Sequence, residues 1–316
     1  MASVQDILYP CKFDQSMQPA KFFRAEGAEP RPLVVYLHTW SYDHNQETFK
    51  LHSELAAMRN WHMIFPKFRG PNWQPEACGS DLVVSDLEDA VAYVKSTAAV
   101  DPARIYLNGG SGGGHCSLLM AGRRPDLWTA VSAWCPISDI ALWHRQSRER
   151  KNAYADHIEA SCGGSPVESK TALREAQCRS PLTWLPNAAD YLPVDISTGI
   201  HDGHTGSVPV GQAIRAYNVL AAAEDRISEE DIAFIEANEN VPSHLAFTGN
   251  DPSYAGRRIY LRKQSRKVRL TLFEGGHEML PEAAYDWLGR QVSGRIPDWS
   301  SGKACVGIAG KTVLGW

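Results

Sequence analysis

The sequence predicts an α/β fold, a mostly parallel central sheet with helices on both faces and a small cap insertion. Three observations carry this. Short apolar runs alternate with helix-like segments along most of the 316 residues. Repeated strand-then-helix order is what a parallel sheet needs, because each crossover must bring the chain back to the same end. A glycine-rich run, Gly109-Gly110-Ser111-Gly112-Gly113, joins one such strand to one such helix. Finally, roughly sixty residues lie between the strands at Thr129 and Asp195, against ~2–6 for an ordinary connection.

Taken in order, Leu33-Val34-Val35-Tyr36-Leu37 reads as a buried strand, followed by an amphipathic stretch from Glu47 to Arg59. Met63-Ile64-Phe65 is a second strand, and Arg69 to Gly79 a turn-rich loop. Ser80 to Thr97 is helical: Leu87, Ala90, Val91 and Val94 recur at i, i+3, i+4 and i+7, with Asp86, Glu88, Asp89 and Lys95 between them. Asp101-Pro102 closes that segment, and Arg104 to Leu107 is the strand entering the glycine-rich turn. Beyond it, His115 to Gly122 is helical and Thr129 to Trp134 a strand. Asp195 to Ile200 and Val268 to Phe273 are further strands, Val208 to Ala223 a helix, and Pro281 to Gln291 a closing helix with proline in its first turn. The segment at about 139–190, rich in Trp, Arg and Pro, reads as a cap on a single domain spanning 1–316. The glycine-rich tail from Ser300 to Trp316 receives no assignment.

Composition narrows the function. With 43% hydrophobic and 22% charged residues the chain can bury a core without disulfides or metals. A net charge of −4, with Lys and Arg scattered, argues against nucleic acid and anionic membranes as partners. No apolar run approaches a bilayer's thickness, and Asp6, Lys12, Asp14 and Lys21 interrupt any signal-like N-terminus. The seven cysteines (Cys11, Cys78, Cys116, Cys135, Cys162, Cys178, Cys305) contain no C-x-x-C pair. Reduced thiols in a cytoplasmic protein are the plain expectation, with a Cys162–Cys178 bridge as the alternative inside the cap. No metal and no cofactor are expected, and oligomeric state is not legible.

The chemistry centres on Ser111. A G-x-S-x-G between strand and helix is a nucleophile elbow, a turn so tight that glycines must flank the serine. A serine hydroxyl needs a base, and the base an orienting acid. His277, after the Val268 strand and Glu274-Gly275-Gly276, is the expected base. Asp202, in the loop after the Asp195 strand, is the expected acid; Asp195 and Glu274 are weaker choices. His201 and His204 flank it but lack a third metal ligand. The oxyanion of acyl transfer needs two backbone donors, expected from Gly112 and from Trp40 in His38-Thr39-Trp40. His115 is expected to pack the elbow helix. Arg69 is a candidate for a substrate carboxylate with a structural ion pair as the alternative, and Trp143 and Trp184 are candidate substrate contacts from the cap.

These residues resemble a known family. Asp101-x-x-Arg104-Ile105-Tyr106-Leu107-x-Gly109-x-Ser111-x-Gly113-Gly114 is similar to the nucleophile signature of the prolyl oligopeptidase-like branch of the α/β-hydrolases. Phe68-Arg69-Gly70, Gly199-x-x-Asp202 and Gly276-His277 resemble that branch's aromatic-Arg-Gly, acid and base segments. His38-Thr39-Trp40 stands where the branch usually has His-Gly-Gly. Val208-Pro209 resembles the Val-Pro after the acid but arrives late, and counting back from it would put Thr205 in the acid position. The resemblance implies an α/β-hydrolase fold and a cofactor-free serine hydrolase. Peptidases of the branch carry a β-propeller that does not fit in this chain, whereas its single-domain members are often esterases, including ones acting on acylated sugars. The expectation is therefore a small-molecule carboxylic ester as substrate. The alternatives are a small exo-acting serine peptidase and a non-catalytic binding protein on the same scaffold.

Overall fold

A computed structural model of the chain describes residues 4–304 and 314–315. Nine strands form one sheet: β1 (Gln5–Pro10), β2 (Met17–Phe23), β3 (Arg31–Leu37), β4 (His62–Pro66), β5 (Val100–Gly110), β6 (Ala130–Trp134), β7 (Val194–Gly199), β8 (Ile259–Ser265) and β9 (Val268–Phe273), in the order β1-β2-β4-β3-β5-β6-β7-β9-β8. The stretch from β4 through β3, β5, β6 and β7 to β9 is parallel. Antiparallel strands flank it, β2 and β1 on one side and β8 on the other.

Strand periodicity sorts the core into two layers. Leu33, Val35 and Leu37 of β3 face one cluster, shared with α2 (Asp81–Thr97), α3 (Gly112–Arg123) and α8 (Gly211–Leu220). Val34 and Tyr36 face the other, shared with α1 (Thr48–Arg59) and α10 (Pro281–Arg290). Helix α2 starts where Ser80 accepts a hydrogen bond from the Val83 N–H, satisfying one of the first turn's orphan donors. Between β6 and β7 lie α4 (Ile140–Glu149), α5 (Tyr154–Cys162), α6 (Lys170–Cys178) and α7 (Pro181–Trp184), and after α8 comes α9 (Glu229–Asn238). Ile140, Trp143, Ile158, Cys162, Ala172 and Ala176 of this insertion bury a third cluster with Trp40 and Val208. Among the described residues no helix is long and apolar enough to cross a membrane.

Three strands were not anticipated: β1, β2 and β8. β1 and β8 are the edges of the sheet and β2 lies next to β1, where faces or sides meet solvent and the continuous apolar runs of the buried strands are lacking. Gln5–Pro10 is mostly exposed, Pro19 interrupts β2, and Arg262, Lys263 and Gln264 make β8 polar. Cys162 and Cys178 are both free, one buried and one exposed, so the bridge considered between them is not formed. Cys305 and most of the unassigned tail lie outside the described residues.

Asp195, one of the weaker choices of acid, instead holds the sheet. It lies opposite Arg269 across β7 and β9, with Arg269 Nε donating to Oδ1 at 2.8 Å and Nη2 to Oδ2 at 3.0 Å. Both side chains are buried, and the guanidinium also sits 5.4 Å from the centre of the Trp299 ring. Removing one partner would leave a buried, unpaired charge. Asp195→Ala should therefore cost about 3–5 kcal/mol of stability, read as a lowered urea midpoint; an unchanged midpoint would show the pair contributes nothing.

Candidate active site

The elbow is built at the C-terminal end of β5. Ser111 is in a left-handed conformation, φ 58° and ψ −120°, an arrangement a non-glycine residue rarely adopts. Its N–H donates to the Trp134 carbonyl at 2.9 Å and its carbonyl accepts from the His115 N–H at 2.8 Å, clamping the turn between β6 and α3. The flanking glycines are needed because backbone crowds them. A Cβ on Gly109 would lie 2.5 Å from the Gly113 carbonyl oxygen, and one on Gly112 would lie 2.4 Å from the Trp40 nitrogen.

Three side chains distant in sequence meet here. His277 Nε2 lies 2.9 Å from Ser111 Oγ. Its Nδ1 lies 2.7 Å from Asp202 Oδ2. Asp202 is held in turn by the Thr198 hydroxyl, which donates to Oδ2 at 3.2 Å, and by the Val208 N–H, which donates to Oδ1 at 3.3 Å. Thr205, the position reached by counting back from Val208-Pro209, donates its hydroxyl to the His201 carbonyl and contacts neither His277 nor Ser111 by a hydrogen bond. The extra residues before Val208 are taken up in this turn-rich loop.

Burial alone would push the His277 imidazole below its ordinary 6.5, but the adjacent Asp202 carboxylate outweighs it and raises the value well above. The negative charge beside Nδ1 thus favours the imidazolium. Ser111 is 6% exposed, His277 7% and Asp202 1%, so the line of three is shielded, with a sliver of Ser111 and His277 left to solvent.

The backbone N–H groups expected to face an oxyanion are brought together. Gly112 opens α3, whose first N–H groups have no intrahelical acceptor. The Trp40 nitrogen sits against Gly112 and donates to no acceptor among the described residues. The Trp40 ring is turned into the cap, T-shaped on Trp143 at 4.8 Å between centroids. His115 is fully buried, with Nε2 2.8 Å from the Arg179 carbonyl oxygen, and burial pushes it down to about 4. It packs the helix, as its spacing predicted.

Each of the three candidate substrate contacts has a structural partner. Arg69 forms the structural ion pair that was its alternative: it makes a two-pronged bond to Asp86, Nε–Oδ2 2.7 Å and Nη2–Oδ1 2.9 Å, and a further one to Asp14 at 2.7 Å. Trp143 is buried behind Trp40, with its ring 4.9 Å from Tyr154 and its N–H donating to the Ser207 carbonyl. Trp184 packs at the far end of α3, where a Cβ on Gly122 would meet its backbone at 2.4 Å, about 16 Å along the helix from Ser111. Its ring stacks under the Arg123 guanidinium.

Cys135 was missed. It follows β6 directly, and its thiol donates to the Glu278 carbonyl at 3.1 Å. Its sulfur and the ligand atoms of Asp202 and His277 all lie within 4.8 Å of one another. Burial and the Asp202 charge push the thiol up, which keeps it protonated. With Asp202 and His277 already bonded to each other, the three need no ion to be satisfied. The signal was positional: a residue just past a parallel strand's C-terminal end stands where such sheets gather their functional groups.

Residues 75–234 match the prolyl oligopeptidase family, half of the chain. The chain belongs to this family. The matched stretch contains Ser111 and Asp202 and ends before His277. Solved structures similar to this chain include an acylaminoacyl peptidase of Pyrococcus horikoshii in an orthorhombic crystal form, at 13% identity and TM-score 0.63, covering 95% of this chain and 43% of that one. An acylaminoacyl peptidase bound to Z-Gly-Gly-Phe-chloromethyl ketone matches at 14% identity and TM-score 0.62, again over 95% and 43%. A structure from a study of two prolyl endopeptidases matches at 17% and 0.52, over 69% of this chain and 32% of that one. At such identities the likeness is one of fold, and this chain spans less than half the length of each. The chain is thus a member of the prolyl oligopeptidase family with an α/β-hydrolase fold.

Proposed function

We propose that the protein hydrolyses carboxylic esters of short acyl groups, including acyl groups carried on sugars, through a Ser111–His277–Asp202 triad. Ser111 Oγ attacks the ester carbonyl while His277 Nε2 takes its proton. The Gly112 and Trp40 N–H groups receive the oxyanion, each worth ~3 kcal/mol of barrier. Collapse expels the alcohol, which leaves with the proton from His277. Water then attacks the acyl-enzyme by the same route, regenerating Ser111. Asp202 keeps the imidazole in its working tautomer and stabilises the imidazolium.

The reading rests on one observation, the unbroken line of hydrogen bonds from Asp202 through His277 to Ser111. The low exposure of Ser111 and the Trp40-Trp143-Tyr154 wall beside its turn favour a compact acyl group over an extended chain. Paired assays with p-nitrophenyl acetate, acetylated sugars and aminoacyl or acyl-aminoacyl anilides test it. Ester turnover at least tenfold above anilide turnover is expected; the reverse order would make the protein a peptidase.

A general base works only when neutral. Since the Asp202 carboxylate raises His277 well above 6.5, kcat/KM for the ester should climb along an alkaline-shifted limb centred above that value. A limb centred below 6.5 would contradict the role given to His277.

A further inference from the structure

His201 precedes Asp202 and takes no part in the mechanism above. Its Nδ1 lies 2.7 Å from Glu239 Oε2 and its Nε2 lies 2.8 Å from Glu274 Oε1. Glu274 ends β9, on the loop that carries His277, and Glu239 caps α9. A neutral imidazole has one N–H and one lone pair, so it can satisfy one carboxylate only; two at these distances require the cation.

Glu239 supplies a second, independent observation. It occupies a helix C-cap in the left-handed region, φ 49°, where glycine is the favoured residue. A carboxylate there also faces the negative end of the helix dipole. Both costs are offset if its charge meets a cation, and His201 is the group placed to be that cation. The other oxygen of Glu274 accepts from the Tyr260 hydroxyl at 2.6 Å, which fixes its orientation.

We propose that His201, held as an imidazolium between Glu239 and Glu274, is a positioning residue that latches the acid loop to the base loop. The proposal rests on the triad reading of Asp202 and His277. It makes the active geometry depend on the charge of a residue that never touches substrate. The remaining charged and titratable groups around it come from several elements. His204 Nδ1, on the same loop, is 3.7 Å from Glu239, and its Nε2 bonds the Glu236 carbonyl. Arg257 is committed to Glu278 and the Glu274 carbonyl, and Arg258 lies over the Tyr260 ring. Neither arginine is a hydrogen-bonded substitute for His201.

Burial lowers His201, but the bonds to Glu274 and Glu239 outweigh it and raise it above 6.5. With the folded value raised, the latch's contribution is complete below the unfolded value and is lost as pH rises through the folded one. The latch thus adds a falling alkaline limb to the activity profile.

The test compares wild type with His201→Gln and His201→Arg. The glutamine variant should lose about tenfold in kcat through loosened geometry, with little change in KM and no latch-dependent alkaline limb. The arginine variant keeps two N–H donors and a permanent charge, so it should recover most of the kcat while also lacking that limb. A glutamine variant with wild-type kcat and an unchanged alkaline limb overturns the proposal. Independently of activity, the difference in Tm between wild type and His201→Gln should shrink as pH rises from 5 to 9; a constant difference also overturns it. Failure of the triad reading would show separately, as a wild-type protein whose Ser111 a fluorophosphonate does not label.

Discussion

Replacing Ser111 with alanine should reduce ester turnover by about a million-fold where the assay has the range to see it. The size follows from losing the nucleophile itself: His277 keeps its bond to Asp202 but has no hydroxyl to activate. The variant should remain folded, because the elbow is held by backbone bonds to Trp134 and His115 rather than by the hydroxyl. Ser111→Gly makes a sharper companion. The serine's φ of 58° and ψ of −120° is a strained region for any residue with a Cβ, at a cost on the order of 1–3 kcal/mol. Glycine removes that strain and adds its own chain entropy of ~0.5–1 kcal/mol. The glycine variant should thus be equally dead yet at least as stable as wild type, and more stable than Ser111→Ala. An active alanine variant would exclude Ser111, and a glycine variant that melts well below the alanine one would remove the strain argument.

The elbow, the loop position of His277 and the central strands were legible because each has a short-range cause. Glycines at 109 and 113 mark a backbone too close for side chains, and the runs Leu33–Leu37 and Val268–Phe273 are buried on both faces. Trp40 could be placed beside Gly112 because the loop after β3 is where the second N–H of such a site would stand. The substrate contacts were not legible, for a physical reason. Arg69, Trp143 and Trp184 are residue types that serve ligands and packing equally well, and which role they take depends on partners far along the chain. Asp86 and Asp14 claim Arg69, Trp40 and Tyr154 claim Trp143, and Arg123 claims Trp184. His201 escaped for the same reason, since neither of its carboxylates can be guessed from spacing. The family signature made Asp202 and Thr205 compete; only the fold of the 202–208 loop separates them.

Asp202→Asn should lower kcat by about ten-thousand-fold with little change in KM. The amide is nearly the same size, so the loop need not move. What changes is the imidazole's hydrogen. Asp202 Oδ2 accepts from His277 Nδ1, which leaves Nε2 with the lone pair that must face Ser111 Oγ. An asparagine has one acceptor oxygen, so it either keeps the bond from the Thr198 hydroxyl and presents its carbonyl to His277, or keeps the bond from the Val208 N–H and presents its NH2. In the second orientation it donates to Nδ1, the proton moves to Nε2, and the base is lost. Even in the first, the charge that raises His277 is gone, so the imidazolium formed during attack is unsupported. The rising limb of the pH–rate profile should accordingly shift to lower pH in the residual activity, a signature that mere unfolding would not produce. If Asp202→Asn retained more than a tenth of wild-type kcat, Asp202 would not be the acid that orients His277.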